Sequence, residues 1–197
     1  MARYTATPTY ACYLDSSNPN TSYYGASMRL VPSGLSEKVV LLEIPVSIPV
    51  GALILSAQLR LWITTNTGTK KIWVARMIQT WDWEDATWNE WDNSANEAWD
   101  TAGAKGADVD YSTTNDFEAT RVSGTDAYKT IDTGTDFVAL VQDAIDSRGG
   151  ALRLRLAFPA GIGIDDLRFH GISGDHPPKL RVEFQDSGGG AHALGVI

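Results

Sequence analysis

Residues 151–158 read ALRLRLAF, an unbroken alternation that sets Leu152, Leu154 and Leu156 on one side and Arg153 and Arg155 on the other. A period of two fits a strand with one face on a core, and it scatters the same residues around a helix. Short runs of this kind, rich in Val, Ile, Leu and aromatics, recur along the chain between Gly, Pro, Asn and Ser. PTYACYLD alternates in part, and SMRLVPSG is a short strand closed by Pro-Ser-Gly. KVVLLEIPV is nearly continuous apolar sequence, the pattern of a strand covered on both faces.

A turn at IPVGA leads into a longer strand, in which Leu55, Ala57, Leu59, Leu61 and Ile63 point one way and Ser56, Gln58, Arg60 and Trp62 the other. The turn TNTGTK follows, and with KKIWVARMIQ the two segments read as an antiparallel hairpin. Residues 92–127 are polar and rich in Gly and Ala, with ADVDYSTT as their one clear strand. Only one segment has helical spacing. In TDFVALVQDAIDSRGG, residues 135–147 place Phe137, Leu140, Val141, Ala144 and Ile145 on one stripe, with Thr135 or Asp136 as the cap and Gly149 as the stop. Many short strands and one short helix predict an all-β fold, an antiparallel β-sandwich of jelly-roll-like type. Residues 1–186 are expected to form that domain, and 187–197, SGGGAHALGVI, a Gly-rich linker and an apolar C-terminal arm.

Five segments resemble, in order, those of DNRLRE-type β-sandwich domains: NPNTSYYGASMRLV, VVLLEIPVSIPVGALILSAQLRLWI, TWDWEDATWNEW, TDFVALVQDAI and FHGISGDHPPKLRVEF. The resemblance implies a non-catalytic β-sandwich related to polysaccharide-binding modules. The chain departs from the family pattern at Lys38, where Arg is usual, at Pro45, and in a longer 92–127 region.

TWDWEDATWNEWD, residues 80–92, holds four of the chain's seven tryptophans. Trp81 and Trp88 match family positions, and the resemblance implies that they pack at the end of the sandwich while Asn89 bonds loop backbone. Trp83 and Trp91 fall outside that pattern and, with Trp99, are expected to contact a ligand or another subunit, because indole faces stack on sugar rings and anchor interfaces. The acids between them raise a calcium site at Asp82, Asp85 and Asp92, with Glu84, or at Asp15, Asn18 and Asn20. Neither set has the spacing of a defined calcium loop, and solvated surface acids account for both. Asp165, Asp166, His170, Asp175 and His176 invite acid–base chemistry, yet no nucleophile elbow, zinc-protease helix or P-loop occurs in the chain. The reading is therefore a non-enzyme without cofactor.

The formal net charge of −8 argues against nucleic acid as a partner. Cys12 is the one cysteine, which excludes an intramolecular disulfide and reads as a small buried residue. No apolar run approaches the ~20 residues of a membrane span, and the first residues lack the basic and apolar regions of a usual export signal. Two functions are consistent with these features. One is a structural protein of a virion surface, a capsid decoration or head-fibre component, assembling with copies of itself and a major capsid protein through sandwich surfaces and the arm residues Leu194, Val196 and Ile197. The other is a carbohydrate-binding module that recognises a polysaccharide through exposed tryptophans.

Overall fold

The computed structural model describes residues 1–25, 27–32, 36–68, 71–119, 124–131, 134–159 and 165–186. In chain order the elements are β1 Ala2–Ala6, β2 Tyr10–Asp15, β3 Tyr23–Tyr24, β4 Ser27–Leu30, β5 Lys38–Pro45, β6 Leu53–Thr67 and β7 Ile72–Met77. There follow β8 Glu90–Asp92, β9 Glu97–Ala98, β10 Tyr111–Ala119, β11 Ala127–Ile131, helix α1 Thr135–Ser147, β12 Ala151–Ala157, β13 Asp166–His170 and β14 Lys179–Gln185. Sheet I has the order β1-β14-β6-β13-β4, with β11 also paired to β6, and sheet II has the order β10-β7-β12-β5-β2-β3. All pairings between these strands are antiparallel. The all-β sandwich expected from the alternation is the fold observed.

The main core lies between the sheets. Leu59, Leu61 and Ile63 from sheet I meet Val40, Leu42, Ile44, Leu152, Leu154 and Leu156 from sheet II. Each such side chain stabilises the fold by about 1.5–3 kcal/mol relative to an exposed one. Helix α1 buries Phe137, Leu140, Val141, Ala144 and Ile145, the stripe its spacing predicts. Gly134 occupies the cap position without a side-chain cap bond, so neither Thr135 nor Asp136 caps. At the other end Gly150 donates its N–H to the Ala144 carbonyl at 2.8 Å, and Gly149 and Gly150 both take positive φ. Gln142 ties the helix to sheet I, accepting from the Ile54 N–H and donating to the Ala52 carbonyl, each at 3.0 Å.

Three local expectations are corrected. The strands read as a hairpin, β6 and β7, lie in opposite sheets, because β6 is paired by β14, β13 and β11 while β7 sits between β10 and β12. In β6 the register slips between Ser56 and Ile54 opposite β14, so Leu55 is the extra residue of a bulge. Leu55 therefore faces solvent and Ile54 takes the inward place. The strand in the polar region is also displaced, to Tyr111–Ala119.

Candidate functional site

Sheet II is buried on both faces. Alternation along β5 sends Val40 and Leu42 to the main core, and it turns Val39 and Leu41 outward, where Cys12, Leu14, Met77 and Ala157 join them in a second cluster. Residues 78–111 cover that outer face, contributing Ala86, Trp88, Trp99 and Ala104, with Trp81, Trp91 and Tyr111 at the margin. The continuous apolar run in β5 thus has a physical cause: a third layer folded from the tryptophan-rich stretch.

Several backbone polar groups of this cover pair within it, as burial of a loop requires. Gly103 donates to the Trp88 carbonyl at 2.6 Å, Asp82 to Trp91 at 2.9 Å and Thr87 to Glu90 at 2.8 Å. Strands β8 and β9 pair as a small ribbon. The buried Asp110 carboxylate gathers three N–H groups, accepting from Asp100 at 3.0 Å, Thr101 at 3.2 Å and Gly106 at 2.8 Å. Gly103 has φ +84°, and a Cβ there would stand 2.6 Å from the Trp88 ring, so only glycine lets the loop close over that indole. Asn89 bonds the Asn20 side chain at 2.8 Å through its amide, and its N–H reaches the Pro19 carbonyl at 3.3 Å, which anchors the cover to the loop after β2.

The tryptophans divide differently from the sequence reading. Trp88 is buried in the second cluster, with the Lys105 ammonium 4.9 Å from its ring centroid. Trp99 is only 4% exposed and donates its indole N–H to the Thr87 carbonyl at 2.9 Å. It is a packing residue, which removes it from the exposed contacts. Trp91 is half-buried against the same cluster. Trp83 stacks on Tyr10, with centroids 5.5 Å apart, and meets Tyr24 edge-on at 5.3 Å. Tyr10 is 38% and Tyr24 53% exposed, so the three rings form an aromatic surface at the β2–β3 edge of sheet II. Sequence spacing gave no sign of the two tyrosines. They arrive through pairing of β2 with β3, and exposed aromatics next to loop segments were the only available signal.

Under the cover's opposite margin lies a cavity of about 500 Å³, lined by Glu37, Trp73, Lys105, Tyr111, Arg155 and Phe158 among others. Arg155, expected to face solvent, does face outward from β12 but is 3% exposed beneath the cover. Its guanidinium lies 5.1 Å from the Trp73 ring and 5.3 Å from the Tyr111 ring. Burial lowers its pKa to about 10, opposed by Glu37, Tyr111 and Asp110, so it remains cationic at neutral pH. Burial also pushes the Cys12 thiol up to about 12, in keeping with an unreactive core cysteine.

Among the described residues no three His, Cys, Asp or Glu side chains are grouped to hold a metal ion. Asp82 accepts the Glu84 N–H at 3.0 Å, and Asp92 accepts the Ser94 hydroxyl at 2.7 Å and the Ala95 N–H at 3.0 Å. These acids cap turns, and Asp85 does not join them in a ligand set. Asp15 accepts from the Ser17 N–H and hydroxyl and is ion-paired with Lys38. On sheet I, Asp166 takes a bidentate contact from Arg29, 3.0 Å on each arm, and a further one from Arg168. His170 accepts the His176 N–H at 3.1 Å, and no carboxylate bonds either imidazole among the described residues. The acid–base grouping read from the sequence is therefore split between an arginine clamp and a histidine pair. The arm residues Leu194, Val196 and Ile197 lie outside the described residues. Comparison with known proteins finds no family model that matches the chain and no curated protein that matches it.

Proposed function

We propose that the chain is a non-catalytic β-sandwich module that binds polysaccharide. The observation that carries this reading is the aromatic surface of half-buried Trp83 with exposed Tyr10 and Tyr24, presented by a cover tied together by its own backbone hydrogen bonds. Stacked rings of this kind pack on the apolar faces of pyranoses, and nearby carboxylates accept sugar hydroxyls. The resemblance to DNRLRE-type domains supports the same class. Affinity electrophoresis through gels containing a panel of neutral and acidic polysaccharides tests it. Retardation of the wild type is expected, with about a tenfold loss for Trp83→Ala and an unchanged melting temperature, given stacking worth about 0.5–1.5 kcal/mol beyond buried area. Equal mobility of wild type and variant in every gel refutes the proposal.

A second reading, a virion-surface component assembling with its own copies and a major capsid protein, has one observation in its favour. Met1, Leu53 and Leu55 are exposed at the end of sheet I, where Met1 and Leu55 share a hollow with Gln185 and Leu53 pairs with Gln185. Exposed apolar side chains gathered at one place mark contact surfaces.

A further inference from the structure

We infer that copies of this chain associate head to tail, the outer face of sheet I of one docking on the tryptophan-rich cover of the next. This goes beyond the polysaccharide reading: it rests on the charge of the two faces rather than on the aromatic rings, and Trp83 belongs to the same cover. Residues 78–111 contain nine Asp and Glu and a single Lys, so this segment alone accounts for the net charge of −8. The rest of the chain carries 15 residues of each sign and is neutral.

The compensating positive charge is concentrated on the opposite side of the sandwich. Leu59, Leu61, Leu167, Phe169, Leu180 and Val182 point into the core, and alternation turns their strand neighbours outward. Arg3, Arg29, Arg60, Arg168, Lys179 and Arg181 are the basic residues so displayed, against Asp166 and Glu183. Both acids are already engaged, Glu183 by Arg3 at 2.9 Å and Asp166 by Arg29 and Arg168. Packed sheets stand about 10 Å apart, and the charged groups lie further out on either side. The two faces are thus separated by more than the screening length of about 8 Å at physiological ionic strength, and each presents its own field.

The basic face also has the makings of an interface centre. Trp62 lies 3.8 Å from the His176 ring and edge-on to Tyr128 at 5.3 Å, while Lys179 and Arg60 sit over the Tyr128 ring at 4.5 and 5.4 Å. Trp, Tyr and Arg are the residues that carry most binding energy at protein contacts. Beside them a recess of about 460 Å³ lies among Arg3, Ser56, Gln58 and Arg181. Contact of a face with its own copy brings like charges together, whereas contact of one face with the other neutralises both. Such a contact is heterologous, and it propagates into open arrays unless the rotation between copies closes a ring.

Sedimentation velocity of the full chain tests this. Association is expected at about 0.05 M salt and dissociation at about 1 M, where screening falls to about 3 Å. Arg60→Glu/Arg181→Glu cancels the positive excess of the basic face and Glu84→Lys/Glu97→Lys halves the negative excess of the cover. Each double variant alone is expected to weaken association at least tenfold with an unchanged melting temperature, and an equimolar mixture of the two is expected to restore it. A wild type that stays monomeric at low salt overturns the inference, as does a mixture that fails to associate. Retention of a monomeric wild type on a sulfated polyanion resin, lost in Arg60→Glu/Arg181→Glu, also overturns it and assigns the basic face to polyanions. Polysaccharide retardation is read on Arg60→Glu/Arg181→Glu, whose changes lie in sheet I away from Trp83, so loss of association with retained retardation separates the two proposals.

Discussion

Replacing Asp110 by asparagine removes one charge and one acceptor from the point where the cover is tied together. The Asp100 N–H bonds one carboxylate oxygen, and the Thr101 and Gly106 N–H groups bond the other. An amide keeps one oxygen and turns an NH2 group toward the remaining donor. If its oxygen stays on Thr101 and Gly106, those two bonds fall from charged to neutral strength, a loss of about 1 kcal/mol each, and the Asp100 N–H loses its acceptor at about 1–3 kcal/mol. The sum is about 3–5 kcal/mol. For a chain of this size that corresponds to a melting temperature lower by about 10 °C. Differential scanning calorimetry reads the loss, and tryptophan emission reads its location, because Trp88 and Trp99 gain water when the cover loosens. Exposed Asp100→Asn is the control and is expected within about 0.5 kcal/mol of wild type. If Asp110→Asn melts within about 2 °C of wild type with unshifted emission, the carboxylate does not organise the cover and the reasoning fails.

The bulge in β6 makes opposite demands on adjacent residues. Ile54→Ala is expected to cost about 2–4 kcal/mol in urea unfolding, and Leu55→Ala less than about 0.5 kcal/mol; the reverse order would place the bulge elsewhere. Asp15 and Lys38 are both buried. Burial raises the Asp15 pKa, but hydrogen bonds from Lys38 and Ser17 outweigh it and hold the carboxyl below its usual range. The pair's contribution is therefore complete above that range and is lost as pH falls through the lowered value. Lys38→Met is expected to destabilise by about 3–5 kcal/mol at pH 7, with a smaller difference at about pH 3. A pH-independent difference between the two unfolding curves contradicts this assignment.

Strand-level structure was legible wherever one face of a strand meets the core. ALRLRLAF and the stripe of α1 were read correctly because alternation and helical spacing report burial directly. KVVLLEIPV announced two covered faces, yet nothing in it named the second layer, which comes from residues 78–111 and includes residues that look like polar loop. The turn between β6 and β7 has hairpin chemistry, but pairing is decided by strands far away in the chain, so a local signal misassigned it. Leu55 could not be separated from its neighbours because a bulge is a property of two strands together. At the candidate site, Trp83 was visible from its departure from the family pattern. Tyr10 and Tyr24 were not, since only folding brings them to the same indole.

The second core places Cys12, the chain's one cysteine, beneath the layer that covers the outer face of sheet II. That position makes its thiol a clock for the layer's motion. A thiol reagent added to the native protein reacts only when residues 78–111 lift away, whether or not the two sheets part. The labelling rate, compared with that of the unfolded chain, then gives the opening equilibrium of the third layer separately from global unfolding. A labelling rate faster than global unfolding allows would assign the layer its own opening equilibrium, read by one sulfur atom without any engineered probe.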